Sequence, residues 1–342
     1  ILLALIAGWS LLTPVGALAP NFALFFVGRA ASGVTEFAMI PIVYSLIPDL
    51  VGERWRVAAN LGFAALMATG SSAGFYLGGS LLGFVARTGF PGAWTGLEPW
   101  RGAMLLLALA GLPLLLLGLA TQDPPRRGGT GGTAGGSLAR FVSSHGRAVL
   151  LFLGAAGGLA VAVQATVPMI AMALVRRFTA DLDGVGRVLG LITLVTSLGS
   201  LPLAGAFDRA LRQGLGARAR PAVMAAAALL ALPCAAGLGL AVDERTALLL
   251  VAAFILLTCV ANALIPTMLQ DLVPTDLRAR AFATYSFVIA AFCAAGPVLS
   301  GAISEYLLAD ALLQAIAIAA VPALAVAAIC ATLSAVGSSA EA

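Results

Sequence analysis

Residues 246–270 read TALLLVAAFILLTCVANALIPTMLQ, and none of these 25 side chains carries a charge. A helix needs about 20 mostly apolar residues to cross the hydrocarbon core of a bilayer, so this stretch predicts a membrane-spanning helix. Comparable apolar runs recur along the whole chain, and we predict an all-α polytopic membrane protein with ten spans. The predicted spans are residues 1–19, 22–48, 57–86, 100–120, 147–175, 184–207, 220–241, 246–270, 278–307 and 311–336.

The composition leaves too little charge to cover a water-facing surface. Of the 342 residues, 61% are apolar and 10% are charged, whereas soluble domains carry about 25% charged residues. Apart from Arg29, the arginines stand between the spans or near their ends and indicate topology rather than nucleic-acid binding. The four cysteines lie within spans, and the single histidine, His145, lies in a polar connection. We therefore expect no disulfide framework, no metal, no cofactor and no catalytic residue.

An internal repeat divides the chain into two halves. Asp49-Leu50-Val51 returns as Asp271-Leu272-Val273, an offset of 222 residues (271 − 49) that also relates Arg56 to Arg278. Two helical halves related in this way are typical of parallel-repeat transporters. Two further pairs share the offset, namely Gly74 with Gly296 and Gly79 with Gly301.

The repeat also predicts the domain organisation. Residues 1–120 form an N-terminal bundle, 121–146 a linker, and 147–342 a C-terminal bundle. Because the second half holds two spans without a counterpart in the first, we interpret the chain as spans three to twelve of a twelve-span protein. We expect that restoring the two preceding spans improves transport, since a bundle without them exposes polar groups to lipid.

The arginines predict the orientation of the chain in the membrane. The connections 49–56, 121–147, 208–220 and 271–280 carry twelve arginines, and the alternate connections carry six. Arginine-rich connections lie on the cytoplasmic side, so we expect the glycine-rich central linker to be cytoplasmic. This linker lacks the Gly-Lys-Ser/Thr ending of a phosphate-binding loop. The bias towards arginine, alanine and glycine is typical of GC-rich genomes, and we expect a bacterial inner membrane.

Arg29 and Glu36 are the charged pair of the second span. They stand seven residues apart and share one helix face, about two turns from each other. An ionisable residue inside a membrane is costly and therefore points to function. In the functional interpretation, Glu36 gains and loses a proton while Arg29 stabilises the carboxylate or holds an anionic head group. In the alternative, the two form a fixed ion pair, or Arg29 extends to the outer interface.

Isolated polar residues within other spans are candidates for the wall of a central cavity. The same residue types also join helices without contacting a substrate, so both interpretations stay open. The candidates are Tyr44, Gln164, Thr166, Asn262 and Tyr285.

Two further patterns point to helix packing and gating. Gly70, Gly74 and Gly78 recur every four residues and predict a face for close helix packing. Their counterparts in the second half are Gly296-Pro297 and Gly301. Asp208-Arg209 ends a span on the predicted cytoplasmic side, where the carboxylate can cap a helix or pair with an arginine and hold a gate closed. A solvated loop charge is the alternative.

Several of these motifs resemble the spinster-like branch of the major facilitator superfamily. The resemblance is carried by Gly28-Arg29, Gly33-Val34-Thr35-Glu36, Ile47-Pro48-Asp49-Leu50, Pro99-Trp100-Arg101, Gly111-Leu112-Pro113, Asp123-Pro124-Pro125-Arg126, Gly205 with Asp208-Arg209, Gln270-Asp271-Leu272-Val273-Pro274 with Arg278, and Gly296-Pro297 with Gly301 and Ser304. It implies two six-helix bundles around a central cavity, alternating access, and proton-linked export of lipid-like molecules. It also implies that Arg29 and Glu36 match the charged pair of the family. Two departures are Glu305, where an Asp is usual, and Ala206-Phe207 before Asp208.

The sequence thus predicts a secondary active transporter of a small organic solute, lipid-like or amphipathic and anionic. The expected driving force is a proton gradient. The expected partners are the lipid bilayer and the transported solute. We expect the protein to be a monomer and to bind no nucleic acid. A non-transporting membrane scaffold and a membrane-embedded lipid-modifying enzyme are the alternatives, although the sequence lacks a converging set of catalytic groups.

Overall fold

The computed structural model describes residues 1–51, 55–89, 96–120, 137–179, 181–274 and 277–337. Within these ranges the regular structure is entirely helical and comprises thirteen α-helices and one short 3-10 turn. The helices are α1 (Leu2–Ala17), α2 (Phe22–Leu50), α3 (Arg56–Thr88), α4 (Pro99–Leu109), α5 (Gly111–Leu119), α6 (Leu138–Ser144), α7 (Gly146–Thr166), α8 (Ile170–Phe178), α9 (Leu182–Leu215), α10 (Ala219–Leu240), α11 (Glu244–Leu272), α12 (Arg278–Leu307) and α13 (Leu312–Gly337).

The helices confirm the predicted all-α polytopic fold. Eight helical segments among the described residues are long and apolar enough to cross a membrane. Each of them coincides with one of the ten predicted spans. The other two predicted spans form α1, which is apolar but only 16 residues long, and α3, which has 33 residues and a glycine- and serine-rich sequence.

Three predicted spans differ from the helices observed. Span 147–175 is two helices, α7 and α8, because Pro168 in the turn between them has no N–H to continue the helix. Span 100–120 is likewise divided at Ala110, ahead of Pro113. The span predicted as 184–207 continues to Leu215, so Asp208 lies on a helix and not in a connection.

The chain forms two compact units, Ile1–Gly131 and Gly132–Ala342. In the first unit, α1 packs against α2, α4 and α5, and α3 packs against α4. Small residues allow the closest approach: a Cβ on Gly28 would lie 3.2 Å from the backbone nitrogen of Gly16. Arg101 of α4 donates from Nη1 to the carbonyl oxygens of Ala17 and Ala19, each at 2.8 Å, and so caps the C-terminal end of α1.

In the second unit, α10 packs against α11 and α13, and α7 packs against α12 and α13. Association inside a membrane depends on close van der Waals packing rather than on the hydrophobic effect. Small side chains fill these contacts accordingly, and Ala155, Ala162, Ala228 and Ala327 have no exposed surface. The Cβ of a residue at position 158 would lie 2.5 Å from the carbonyl oxygen of Ala323, so only glycine fits at this contact of α7 with α13.

The two predicted glycine packing faces differ in the structure. Gly296 of α12 lies against α7, because a Cβ there would be 2.6 Å from the nitrogen of Ala165. On α3, a Cβ on Gly70, Gly74 or Gly78 would meet no described atom within 4 Å, so close packing of this face stays a prediction. The same is true of Gly301. A regular spacing of glycines therefore indicates a helix face without side chains, but it does not identify the helix that packs against this face.

The contrast between Gly296 and Gly301 gives a matched test. Gly296→Ala forces α12 away from α7, and overpacking of this kind costs about 1–3 kcal/mol. Gly301→Ala meets no described atom within 4 Å and gains helix propensity, so we expect unchanged or slightly higher stability. Thermal unfolding of the purified protein in detergent measures both variants. Equal effects of the two substitutions would contradict the packing described here.

A second test concerns the start of α11. Asp243 caps this helix, accepting hydrogen bonds from the backbone N–H of Thr246 at 2.8 Å and from its hydroxyl at 2.7 Å. The first bond, and then the second, lowers the pKa of the exposed Asp243 carboxyl from its ordinary value. A lowered folded-state pKa means that the ionised cap stabilises the protein above about pH 4 and that this stabilisation is lost as the pH falls through the folded-state pKa.

We therefore expect Asp243→Ala to unfold at a lower temperature than the parent at pH 7, with the difference shrinking as the pH falls below about 4. Asp243→Asn keeps an acceptor without the titration, so its difference from Asp243→Ala should change little with pH. The measurement is a series of thermal unfolding curves in detergent. A parent-to-alanine difference that is constant across this pH range would show that the charge of Asp243 is unimportant.

Candidate functional site

Glu36 lies on α2 and is bound by neutral hydrogen-bond donors. The indole Nε1 of Trp9, on α1, donates to Oε1 of Glu36 at 2.8 Å. The hydroxyl of Ser32, one turn earlier on α2, donates to the same oxygen at 3.4 Å. Ser32 has no exposed surface, and Glu36 is half-buried.

Small residues bring Trp9 within reach of Glu36. Gly8 faces Thr35, where a Cβ on the glycine would lie 3.2 Å from the Thr35 methyl. Gly16 and Gly28 are in similarly close contact further along the two helices. This spacing of α1 and α2 positions the indole of Trp9 beside the carboxylate of Glu36.

Arg29 is not the partner of Glu36. Its side chain is exposed, and among the described residues it makes no ion pair. The methylene groups of Arg29 lie beside Gly16, with Cδ 3.8 Å from where a Cβ would stand. Seven residues correspond to about 10 Å along a helix, so the fixed ion pair considered from the sequence is not formed.

The other polar candidates do not form one cluster. Gln164 is half-buried on α7 and Asn262 is exposed on α11. Tyr285 on α12 is half-buried, with its ring centroid 5.6 Å from that of Phe152. No hydrogen bond joins these three side chains to one another in the described part of the chain, and their role in a cavity stays a prediction. The Tyr44 side chain lies outside the described residues.

Thr166, another polar candidate for the wall of a cavity, is fully buried in the structure. It has no exposed surface, and its hydroxyl donates to the carbonyl oxygen of Ala162 at 2.9 Å. This bond stays within α7, and because the side chain is fully buried its hydroxyl is not exposed to a solute.

A second charged cluster lies in the other unit, where three helices end. Nε of Arg220, in the first turn of α10, lies 3.4 Å from Oδ1 of Asp208 on α9. Nη1 of Arg220 also bonds Oδ2 of Asp271, in the last turn of α11. The Arg220 and Asp208 side chains are only 13% and 17% exposed, and that of Asp271 is 52% exposed.

The position of Asp271 explains why an arginine is needed. The C-terminal end of a helix carries partial negative charge, so a carboxylate there is unfavourable unless a cation compensates it. Arg220 supplies this compensation and joins α9, α10 and α11. A pairing of Asp208 with an arginine is one of the arrangements that the sequence predicts for this carboxylate.

The predicted neighbour Arg209 does not belong to the cluster. It is exposed, and its Nε donates to the carbonyl oxygen of Gly205 one turn back, at 3.1 Å. Sequence reasoning missed Arg220 and Trp9, because each contact joins residues of different helices. The only signal for Arg220 was its place in the arginine-rich connection 208–220, which did not identify its partners. Among the described residues, no group of three or more His, Cys, Asp or Glu side chains is placed to hold a metal ion.

The fold defines the class of protein as a multi-pass α-helical membrane protein. Residues 1–289 match the family described as the Major Facilitator Superfamily, and the chain belongs to this family. No curated protein sequence matches it.

Solved structures with a similar fold agree with this membership. A bacterial homolog of the human lysosomal transporter Spinster, in an inward-facing and unoccupied conformation, matches with a TM-score of 0.73 and 18% identity over 98% of this chain and 81% of its own. The occupied inward-facing form gives a TM-score of 0.72, also at 18% identity, over 98% and 80%. The human organic anion transporter MFSD10 gives a TM-score of 0.53 and 17% identity over 95% and 76%.

The charged cluster can be tested by its contribution to stability. Arg220→Gln leaves Asp208 and Asp271 without a cation, and leaving such groups unpaired costs about 1–3 kcal/mol. The matched control is Arg218→Gln, whose arginine has no ion pair with a described residue and should change stability by less than about 0.5 kcal/mol. Thermal unfolding in detergent measures both.

The double variant Arg220→Gln/Asp271→Asn should recover part of the loss, because one of the two uncompensated charges is gone. If Arg220→Gln is no less stable than Arg218→Gln, the cluster does not hold these helix ends together.

Proposed function

We propose that this protein is a secondary transporter of the spinster-like kind, which moves an amphipathic organic anion by alternating access and is driven by protons that bind at Glu36. We also propose that it acts as a monomer in a bacterial inner membrane, with the central linker in the cytoplasm. The observation that carries the proposal is the set of neutral partners around an intramembrane carboxyl group.

Neutral donors suit a carboxyl group that must both gain and lose a proton. An arginine locked onto Glu36 would hold the carboxylate permanently ionised. The Trp9 indole N–H can donate to an oxygen of either form, and the Ser32 hydroxyl can donate to a carboxylate or accept from a carboxylic acid. Both protonation states of Glu36 therefore find partners at this site, as a proton carrier needs.

Arg29 supports the proposed anionic character of the solute. Its guanidinium is exposed, makes no ion pair with a described residue, and lies on the same helix as Glu36. An unpaired arginine in a membrane-spanning helix is expensive and is retained where a charged ligand binds. One protein of similar fold is described as an organic anion transporter, and another as a homolog of the lysosomal transporter Spinster.

In this mechanism the Arg220 cluster acts at the cytoplasmic gate. Alternating access requires helix ends to separate and meet again in a cycle. Three partly buried charges on α9, α10 and α11 give a contact that joins these three helices near their ends. Such a contact favours one arrangement of the helix ends without preventing the other.

The test of coupling is Glu36→Gln, which keeps the size of the side chain and removes its titration. In proteoliposomes with a fluorescent lysophospholipid as probe, we expect accumulation driven by a pH gradient to fall at least about tenfold. Exchange of probe for probe should persist, because it needs no net proton movement. The control is Glu244→Gln, a carboxylate in the first turn of α11.

Three outcomes would each contradict one part of this proposal: the proton site at Glu36, the coupling to protons, or transport itself. Gradient-driven accumulation that survives Glu36→Gln shows that the proton binds elsewhere. A parent protein that exchanges the probe but ignores the pH gradient excludes proton coupling. A parent that neither accumulates nor exchanges lysophospholipids, or other amphipathic anions, favours a non-transporting scaffold.

A further inference from the structure

We infer that the second unit contains a separate binding site for a phosphate group, and that the phosphate belongs to the head group of an anionic phospholipid. The site is an open pocket of about 750 Å³ lined by Arg212, Gln213, Gly216, Gln270, Asp271 and Arg278. It lies outside the Glu36 site and does not depend on the proposed proton coupling.

The charges of the pocket favour an anion. Arg212 is exposed and has no ion pair or side-chain hydrogen bond with a described residue. Arg278 uses only Nε, which donates to the carbonyl oxygen of Val273 at 3.3 Å, so its two terminal nitrogens are free among the described residues. Asp271 is the one acidic residue of this lining, and it pairs with Arg220, which also contacts Asp208. The two arginines of the lining therefore outnumber its single carboxylate.

The donor groups fit phosphate in particular. An arginine offers two parallel N–H donors that match two oxygens of a phosphate, and two arginines can serve the same group from different sides. The amides of Gln213 and Gln270 add neutral donors at the rim of the pocket.

The position of the pocket favours a lipid over a free anion. Arg212 and Gln213 lie in the last turn of α9, Gln270 in the last turn of α11, and Arg278 is the first residue of α12. The ends of membrane-spanning helices lie at the level of the lipid head groups. The arginine distribution places these ends on the cytoplasmic side, where basic pockets between helices bind anionic head groups.

The test measures ligand-induced stabilisation of the whole protein in a neutral detergent. Short-chain phosphatidylglycerol is titrated, with phosphatidylcholine and inorganic phosphate as separate arms, and each variant is compared with its own ligand-free state. We expect phosphatidylglycerol to raise the melting temperature of the parent in a saturable manner. In Arg212→Gln/Arg278→Gln, its apparent affinity should fall by at least about tenfold.

Two further variants distinguish a loss of lipid binding from a loss of folding. Arg212→Gln alone removes an exposed side chain that has no partner among the described residues, so it should fold normally and still weaken binding several-fold. Arg209→Gln removes an arginine from the same helix that does not line the pocket, and should bind phosphatidylglycerol as the parent does.

The remaining outcomes would contradict either the specificity of the site for anions or the lipid as the source of the phosphate. Equal stabilisation by phosphatidylcholine, or an equal loss in Arg209→Gln, would overturn the site as a specific anion site. Stabilisation by inorganic phosphate at the same concentrations as the lipid, lost in the same variants, would overturn the lipid as the source and assign the pocket to a free anion.

Discussion

Water is absent from the hydrocarbon core of a membrane, so each backbone N–H and C=O group there needs a partner within the protein. The helices of this chain supply these partners, and several buried hydroxyls are satisfied in the same way. Thr166, Thr196 and Thr258 each donate to a carbonyl oxygen one turn back, at distances of 2.9, 2.6 and 2.8 Å. Under this constraint an ionisable side chain inside a span is rare, which is why Glu36 stands out.

The same constraint decides how the helices associate. Lipid is as apolar as leucine, so close contact must come from small residues. Glycine at positions 8, 16 and 28 brings α1 against α2 and thereby sets the distance from Trp9 to Glu36. The packing residues and the proposed proton site are therefore parts of one arrangement, since a larger residue at position 28 would press on the backbone of Gly16 and displace the indole.

Sequence length and composition were enough to predict the membrane-spanning helices. They did not predict which residues of different helices contact each other. Apolar run length identified the spans, and the family resemblance agreed with the fold. The extension of α9 to Leu215 was missed because its last turns carry polar residues, which a hydropathy pattern assigns to a connection. The Glu36–Trp9 and Asp271–Arg220 contacts bridge 27 and 51 residues. Glycine spacing likewise cannot specify a partner helix, so the packing role of the α3 glycines stays a prediction.

Asp271 links the two charged features of the second unit. Because Asp271 is paired with Arg220, the charge of the neighbouring pocket is determined mainly by Arg212 and Arg278. If α10 and α11 separated, the released carboxylate would oppose a bound phosphate. By thermodynamic linkage, an anion that binds more tightly when the Arg220 cluster is intact must stabilise that cluster by the same factor. An anionic lipid in the pocket would thus favour the arrangement in which Arg220 joins α9, α10 and α11.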